Sequence, residues 1–218
     1  MPGLRASPWS ASVAKSAAKT VLGPGFDPWL SSQRLFPPYV WPEVFGRVAP
    51  LELDLGAGDG VYVEARAQRE PERDFVAVER LLGRATKIAK KAVRGGLRNL
   101  RVLRLESAYF LKHLCLPGTV EVITLRYPDP WPKRRHRGNR ILTREFATDA
   151  AKACRSGGRL QLTTDDQAYF DWACGQVAGL SEWLEDASWK GEADPTSEFE
   201  QKFKEEGRAV HRRAWTRK

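Results

Sequence analysis

Five short apolar runs, each halted by glycine, an acid or proline and separated by stretches of helical period, constrain this 218-residue chain more than any other feature. LELDL (51 to 55) is closed by GAGDG, and DFVAVE (74 to 79) ends on an acid. LRVLRL (100 to 105) follows one glycine pair, VEVITLR (120 to 126) runs into PDPWP, and RLQLTT (159 to 164) follows a second glycine pair. Runs of this length with such stops read as strands. Between them, 61 to 69, 80 to 93, 107 to 114 and 140 to 154 read as helices; in the last, Leu142, Phe146, Ala150 and Ala153 share one face. Residues 165 to 178 supply another helix, and 182 to 190 and 208 to 216 read as closing strands. Alternating βαβ units predict an α/β fold, a doubly wound, mostly parallel sheet with helices on both faces.

Composition narrows the partners. An excess of 36 Lys and Arg over 27 Asp and Glu gives a formal charge of +9, which favours a polyanion, nucleic acid first. Cys115, Cys154 and Cys174 form no CxxC pair, and His113, His136 and His211 lack ligand spacing, so neither a disulfide framework nor a metal site is expected. No apolar run nears the roughly 20 residues that cross a bilayer. A soluble, cytoplasmic protein without an obligate protein partner is expected, as monomer or homodimer. Residues 1 to 26 carry Arg5, Lys15 and Lys19 and no acid, a weak likeness to an organellar transit segment. Residues 1 to 48 read better as an arm, mobile or ordered by RNA, before a domain at 49 to 218.

Ligands of doubly wound sheets bind beyond the carboxyl ends of the strands. The first strand delivers Asp54 and then Gly56, Gly58 and Gly60, which let backbone approach a ligand. Val61 stands where a dinucleotide fingerprint would need its third glycine, and the shorter GxGxG spacing suits S-adenosylmethionine (SAM), which has no pyrophosphate. Glu79 ends the second strand at the interval where a carboxylate meets ribose hydroxyls. Glu106 and Ser107 follow the third strand, beside the expected adenine edge, although Ser107 equally suits a helix N-cap. Asp129 follows the fourth strand between Pro128 and Pro130, with Trp131 and Pro132 next, so a stiff loop presents one carboxylate at the expected reaction centre.

These residues resemble the tRNA (guanine-N7)-methyltransferases of the SAM-dependent, Rossmann-like class. DLGAGDG, the Glu79 strand end, YPDPWPKRRH, TTDD (163 to 166) and SEFEQK (197 to 202) match in order over roughly positions 50 to 217. The resemblance implies SAM contacts from Asp54, Glu79, Glu106 and Asp129, with Asp129 also catalytic. It implies guanosine or tRNA contacts from Lys133, Asp165, Ser197, Glu198, Phe199 and Glu200. Asp54 stands where the family usually has Glu, Glu106 where it has Asp or Asn, and Arg126 where Asn is common; TSEFE replaces a Thr-Lys/Arg-Phe-Glu pattern.

The chemistry agrees with that expectation. Guanine N7 is an acceptor with a free lone pair, so its methylation removes no proton and positioning should dominate. A carboxylate accepting from guanine N1–H and N2–H would orient the ring, a role open to Asp129 or Asp165; Asp165 also suits an N-cap at 166. Lys133, Arg134, Arg135, Arg137 and Arg140, in an acid-free run reaching Arg144, read as a phosphate track, as does the acid-free stretch from Gly207 to Lys218. Two other readings compete: a SAM-dependent methyltransferase of another RNA, a protein or a small molecule, and a non-catalytic RNA-binding module.

Overall fold

The computed structural model describes residues 26–30, 38–191 and 206–218. It consists of β1 (Leu51–Leu55), α2 (Val61–Arg69), β2 (Asp74–Val78), α3 (Leu82–Arg94), β3 (Leu100–Leu103), α4 (Ser107–His113) and β4 (Val120–Arg126), preceded by a short α1 (Trp41–Phe45). Then follow a 3-10 turn (Arg134–Asn139), α5 (Arg144–Ala153), β5 (Cys154–Thr164), α6 (Gln167–Val177), β6 (Trp183–Glu185) and β7 (His211–Arg217). The strands form one sheet in the order β3-β2-β1-β4-β5-β7-β6. Strands β1 to β5 pair in parallel, and β7 enters antiparallel between β5 and β6.

Strand alternation divides the core. Val76 and Val78 face a cluster with Phe110 of α4, Phe146 of α5 and Tyr169 of α6. Phe75 and Ala77 face the other, with Val63 of α2 and Ala85, Ile88 and Ala89 of α3. Strands β1 and β2 are buried at every position, as central parallel strands covered on both faces must be.

Several boundaries differ from the sequence reading, among them the helix expected from 140, which starts at Arg144, and the strand expected from 208, which starts at His211; two of the differences have a clear physical reason. β5 begins at Cys154, not 159, because the glycine pair lies inside a bulged strand rather than before it. A Cβ at Gly158 would meet the carbonyl oxygens of Val120 and Glu121 at 3.0 Å, so only glycine fits where the two backbones close. The closing strand expected over 182–190 shortens to β6, after which Asp186 turns the chain by accepting from Ser188 N–H at 3.0 Å.

Part of the expected arm belongs to the core. Leu30, Tyr39 and Trp41 are buried, and Trp41 Nε1 donates to Thr119 Oγ1 at 3.0 Å. Trp29 bridges Val102 in parallel, with Leu30 N–H donating to Val102 O and Val102 N–H to Pro28 O, each at 2.8 Å, so the β3 edge is covered. Residues 1–25 and 31–37 of that arm lie outside the described residues. Among the described residues no helix is long and apolar enough to cross a membrane, and no group of three His, Cys, Asp or Glu is arranged to hold a metal.

Candidate active site

The chain reverses direction across the sheet between β1 and β4, where the carboxyl ends of neighbouring strands leave a crevice. A cavity of about 570 Å³ opens there, lined by Gly56, Glu79, Glu106, Ser107, Arg126 and Asp129 among others. Of the expected cofactor residues, Gly56, Glu79, Glu106, Ser107 and Asp129 are in its lining, and Asp54, Gly58 and Gly60 are not.

The glycine loop after β1 is left-handed at all three glycines, with φ of 78° at Gly56, 62° at Gly58 and 77° at Gly60. Their environments differ. A Cβ on Gly56 or Gly58 would meet no atom within 4 Å, whereas one on Gly60 would sit 2.6 Å from Ile88 Cγ1. Gly60 is thus a packing glycine between loop and α3, and Gly58 leaves backbone open. Glu79, only 5% exposed, accepts from Gly58 N–H at 3.1 Å and from Leu81 N–H at 2.8 Å. It ties the loop to the start of α3 and also lines the cavity.

Asp54 is 2% exposed within β1 and is not part of the cavity lining. Burial pushes its carboxyl up to about 7; Arg126 opposes that rise, while Glu52 and Glu79 add to it. It underlies the site rather than facing it. Arg126 lines the cavity with its guanidinium 4.3 Å from the centre of the Tyr62 ring. Glu52, buried beside Asp54, is held by Arg66 at 2.6 Å and by the Tyr62 hydroxyl at 3.3 Å.

Glu106, not Ser107, caps α4: its carboxylate accepts from Ala108 N–H at 2.9 Å and from Tyr109 N–H at 2.7 Å. The glutamate reaches both donors from the residue just outside the helix, and Ser107 falls within the first turn. Both residues still line the cavity.

The proline loop is shaped by more than its prolines. Tyr127 and Trp131 adopt φ of 48° and 42°, the two non-glycine residues with positive φ among the described residues. Such conformations persist only where surroundings impose them and cluster at functional sites. Tyr127 N–H donates to Thr163 O at 2.7 Å, and Arg140 Nε donates to Pro130 O at 2.8 Å. Between these anchors Asp129 stands exposed at the cavity wall. The Trp131 ring lies edge-on to His136 at 5.7 Å.

Arg140 corrects the expected phosphate track. It is 5% exposed, with its guanidinium over Trp172 at 4.8 Å and Tyr169 at 5.5 Å, so it anchors the loop from within. Lys133, Arg134, Arg135 and Arg137 are exposed. The C-terminal cations are mostly engaged in the fold: Arg208 pairs with Asp165, Arg213 with Glu185, and Arg217 donates to Ala151 O at 2.9 Å. Asp165 does not cap a helix, since Asp166 does so by accepting from Tyr169 N–H at 2.7 Å. Ser197, Glu198, Phe199 and Glu200 lie outside the described residues.

Sequence reasoning missed Arg80, Leu81 and Arg84, which wall the cavity from the start of α3, and Asn139 and Ile141, which approach it from beyond the 3-10 turn. For the first group the available signal was position, since these residues follow Glu79 at the carboxyl end of β2, where ligands of doubly wound sheets bind.

Comparison with known proteins agrees with this architecture. A family described as "Putative methyltransferase" matches residues 48–213. A protein named tRNA (guanine-N(7)-)-methyltransferase from Thermus thermophilus is 31% identical over 179 residues, covering 80% of this chain and 58% of its own length. A protein of the same name from Thermotoga maritima is 29% identical over 178 residues, covering 82% and 53%. The chain thus spans little more than half the length of these relatives. Among solved structures, the 16S rRNA methyltransferase KamB aligns at a TM-score of 0.58 and 20% identity over 81% of this chain and 92% of its own. An rRNA methylase from Streptococcus thermophilus aligns at 0.52 and 12% over 80% and 92%. At such identities the likeness concerns the fold alone, a Rossmann-like methyltransferase sheet. With the family match extending from just before β1 into β7, this chain belongs to that methyltransferase family.

Proposed function

We propose that this chain transfers a methyl group from SAM to N7 of a guanine in tRNA, giving N7-methylguanosine in the variable loop. The observation that carries the reading is Asp129, held exposed at the wall of the β1/β4 cavity by a loop left-handed at Tyr127 and Trp131. The relatives' names supply the substrate class.

The residues present fit SAM. Open backbone at Gly56 and Gly58 and the carboxylates of Glu79, Glu106 and Asp129 suit a cationic amino-acid nucleoside better than a phosphate ligand. Bound SAM supplies an electrophilic methyl group on a sulfonium and leaves as a neutral thioether. The chain's part is to orient and to stabilise charge. N7 attacks with its lone pair, so no base is required, and the positive charge ends on the guanine ring. Asp129 holds a carboxylate close to that charge throughout the transfer, and alignment is worth roughly 7–11 kcal/mol of barrier. Asp165 suits the guanine N1–H and N2–H, with Arg208 as its partner before the base arrives. Lys133, Arg134, Arg135 and Arg137 offer phosphate contacts beside the loop.

A guanine in a regular A-form helix keeps N7 in a deep, narrow groove, so a loop or tertiary-paired guanine is the better substrate. We place the reaction in the cytoplasm, carried out by a monomer or homodimer without an obligate partner. Incubation of the protein with methyl-labelled SAM and unmodified tRNA transcripts, followed by nucleoside analysis, tests the assignment. Label in N7-methylguanosine, lost when the variable-loop guanine is replaced, is expected. Label on another atom, or none with tRNA bound, would contradict it.

A further inference from the structure

Nine of the chain's 36 Lys and Arg, and none of its 27 Asp and Glu, fall within residues 80–105. The remainder carries as many acids as bases, so the formal charge of +9 resides in this one segment, which is β3, α3 and their approaches.

The nine cations have different duties. Arg101 is structural, lying over the rings of Phe45 at 4.8 Å and Phe26 at 5.0 Å and donating to Val44 O. Lys91 and Arg94 reach Glu64 of α2 at 3.1 and 3.4 Å. Arg80, Arg84, Lys87, Lys90, Arg98 and Arg104 are exposed and have no acidic partner among the described residues. On α3, Ala85, Ile88, Ala89 and Ala92 form the buried face, and the helical period puts Lys87, Lys90 and Arg94 directly opposite. From Arg84 to Arg94 the stripe is about 15 Å long. The start of α3 and the residues just before it are part of the cavity wall, through Arg84 and through Arg80 and Leu81.

We propose that this face of α3 is a docking surface for an RNA phosphate backbone, which it leads to the cavity mouth. The surface rests on the proposed function only for the identity of that RNA as tRNA. A merely solvated helix would intersperse acids at i,i+4; this one stacks like charges at Lys87/Lys91 and Lys90/Arg94, which disfavour the helix. The helix dipole accounts for cations in the last turn and not for Arg80 and Arg84 at the opposite end, where positive charge is disfavoured. Phosphates along the stripe relieve both conflicts. The outward face between Gly83 and Arg94 carries no large apolar anchor of the kind a protein partner needs, while a phosphate backbone needs none.

Lys87→Gln, Lys90→Gln and Arg98→Gln, combined, leave the cavity lining intact. Binding of an unmodified tRNA transcript is measured across roughly 50 to 200 mM salt, with circular dichroism and SAM calorimetry on the same variant. The log–log salt slope is expected to fall by about 2 to 3, at 0.7 to 0.9 per lost phosphate contact, with SAM binding unchanged. Lys87→Arg with Lys90→Arg should keep the wild-type slope. An unchanged slope in the folded triple variant would overturn the proposal, as would a loss confined to binding of anionic phospholipid vesicles. If tRNA is bound with the expected slope change but never methylated, the proposed function fails and the docking surface stands. If tRNA is methylated and the slope is unaffected, the reverse holds.

Discussion

Glu79→Gln separates bracing of the glycine loop from contact with the ligand. The side chain keeps its length and loses one acceptor. Glu79 now accepts from Gly58 N–H at 3.1 Å with one oxygen and from Leu81 N–H at 2.8 Å with the other. In the amide one of these backbone donors must face an NH₂ group, and at 5% exposure water reaches it poorly. Loss of one hydrogen bond to a charged acceptor costs about 1.5–3 kcal/mol. For a domain of this size that lowers Tm by roughly 3–12 °C. The longer bond, to Gly58, is the one expected to fail, so SAM affinity should fall along with stability. Urea denaturation and SAM calorimetry on the same preparation measure both. If Glu79→Gln keeps wild-type stability and SAM affinity, the carboxylate neither braces the loop nor meets the ligand, and the reasoning is refuted.

Three other perturbations bear on the scaffold of the site. Arg66→Met leaves Glu52 at 1% exposure without its 2.6 Å partner and should cost about 3–5 kcal/mol in denaturant titration. Asp54, raised to about 7 in the fold, favours folding while protonated. That contribution is complete below pH 4, is lost as pH rises from about 4 through 7, and amounts to about 4 kcal/mol over that window; Asp54→Asn should flatten the stability–pH curve there. Arg140→Ala removes the bond to Pro130 O and the packing on Trp172, and should lower the methylation rate more than SAM affinity, as loop disorder would, in a single-turnover assay.

The sheet was legible because every strand of the parallel set is a short apolar run with a hard stop, and the helix after the glycine loop was read at its observed limits, Val61–Arg69. Three positions after strand ends were legible, since Glu79, Glu106 and Asp129 line the cavity, whereas Gly58 and Gly60 after β1 do not. What escaped depends on which neighbour a side chain meets in space. Arg140 looked like one more exposed cation in a basic run until Tyr169 and Trp172, from a helix beyond β5, closed over it. Asp165 and Asp166 are adjacent acids whose roles as ion-pair partner and helix cap were settled by where α6 starts. The stiffness of the Asp129 loop was read from prolines alone, whereas the left-handed turns at Tyr127 and Trp131 come from long-range anchors that no local pattern encodes.

The central claim is that Asp129 acts at the reacting centre, and single-turnover methylation of tRNA by Asp129→Asn tests it most directly. The substitution preserves size and the constrained backbone and removes the charge. A rate at least ~100-fold below wild type is predicted, in line with loss of one well-placed polar group at a reacting centre. A wild-type-like rate in the folded variant would contradict the assignment.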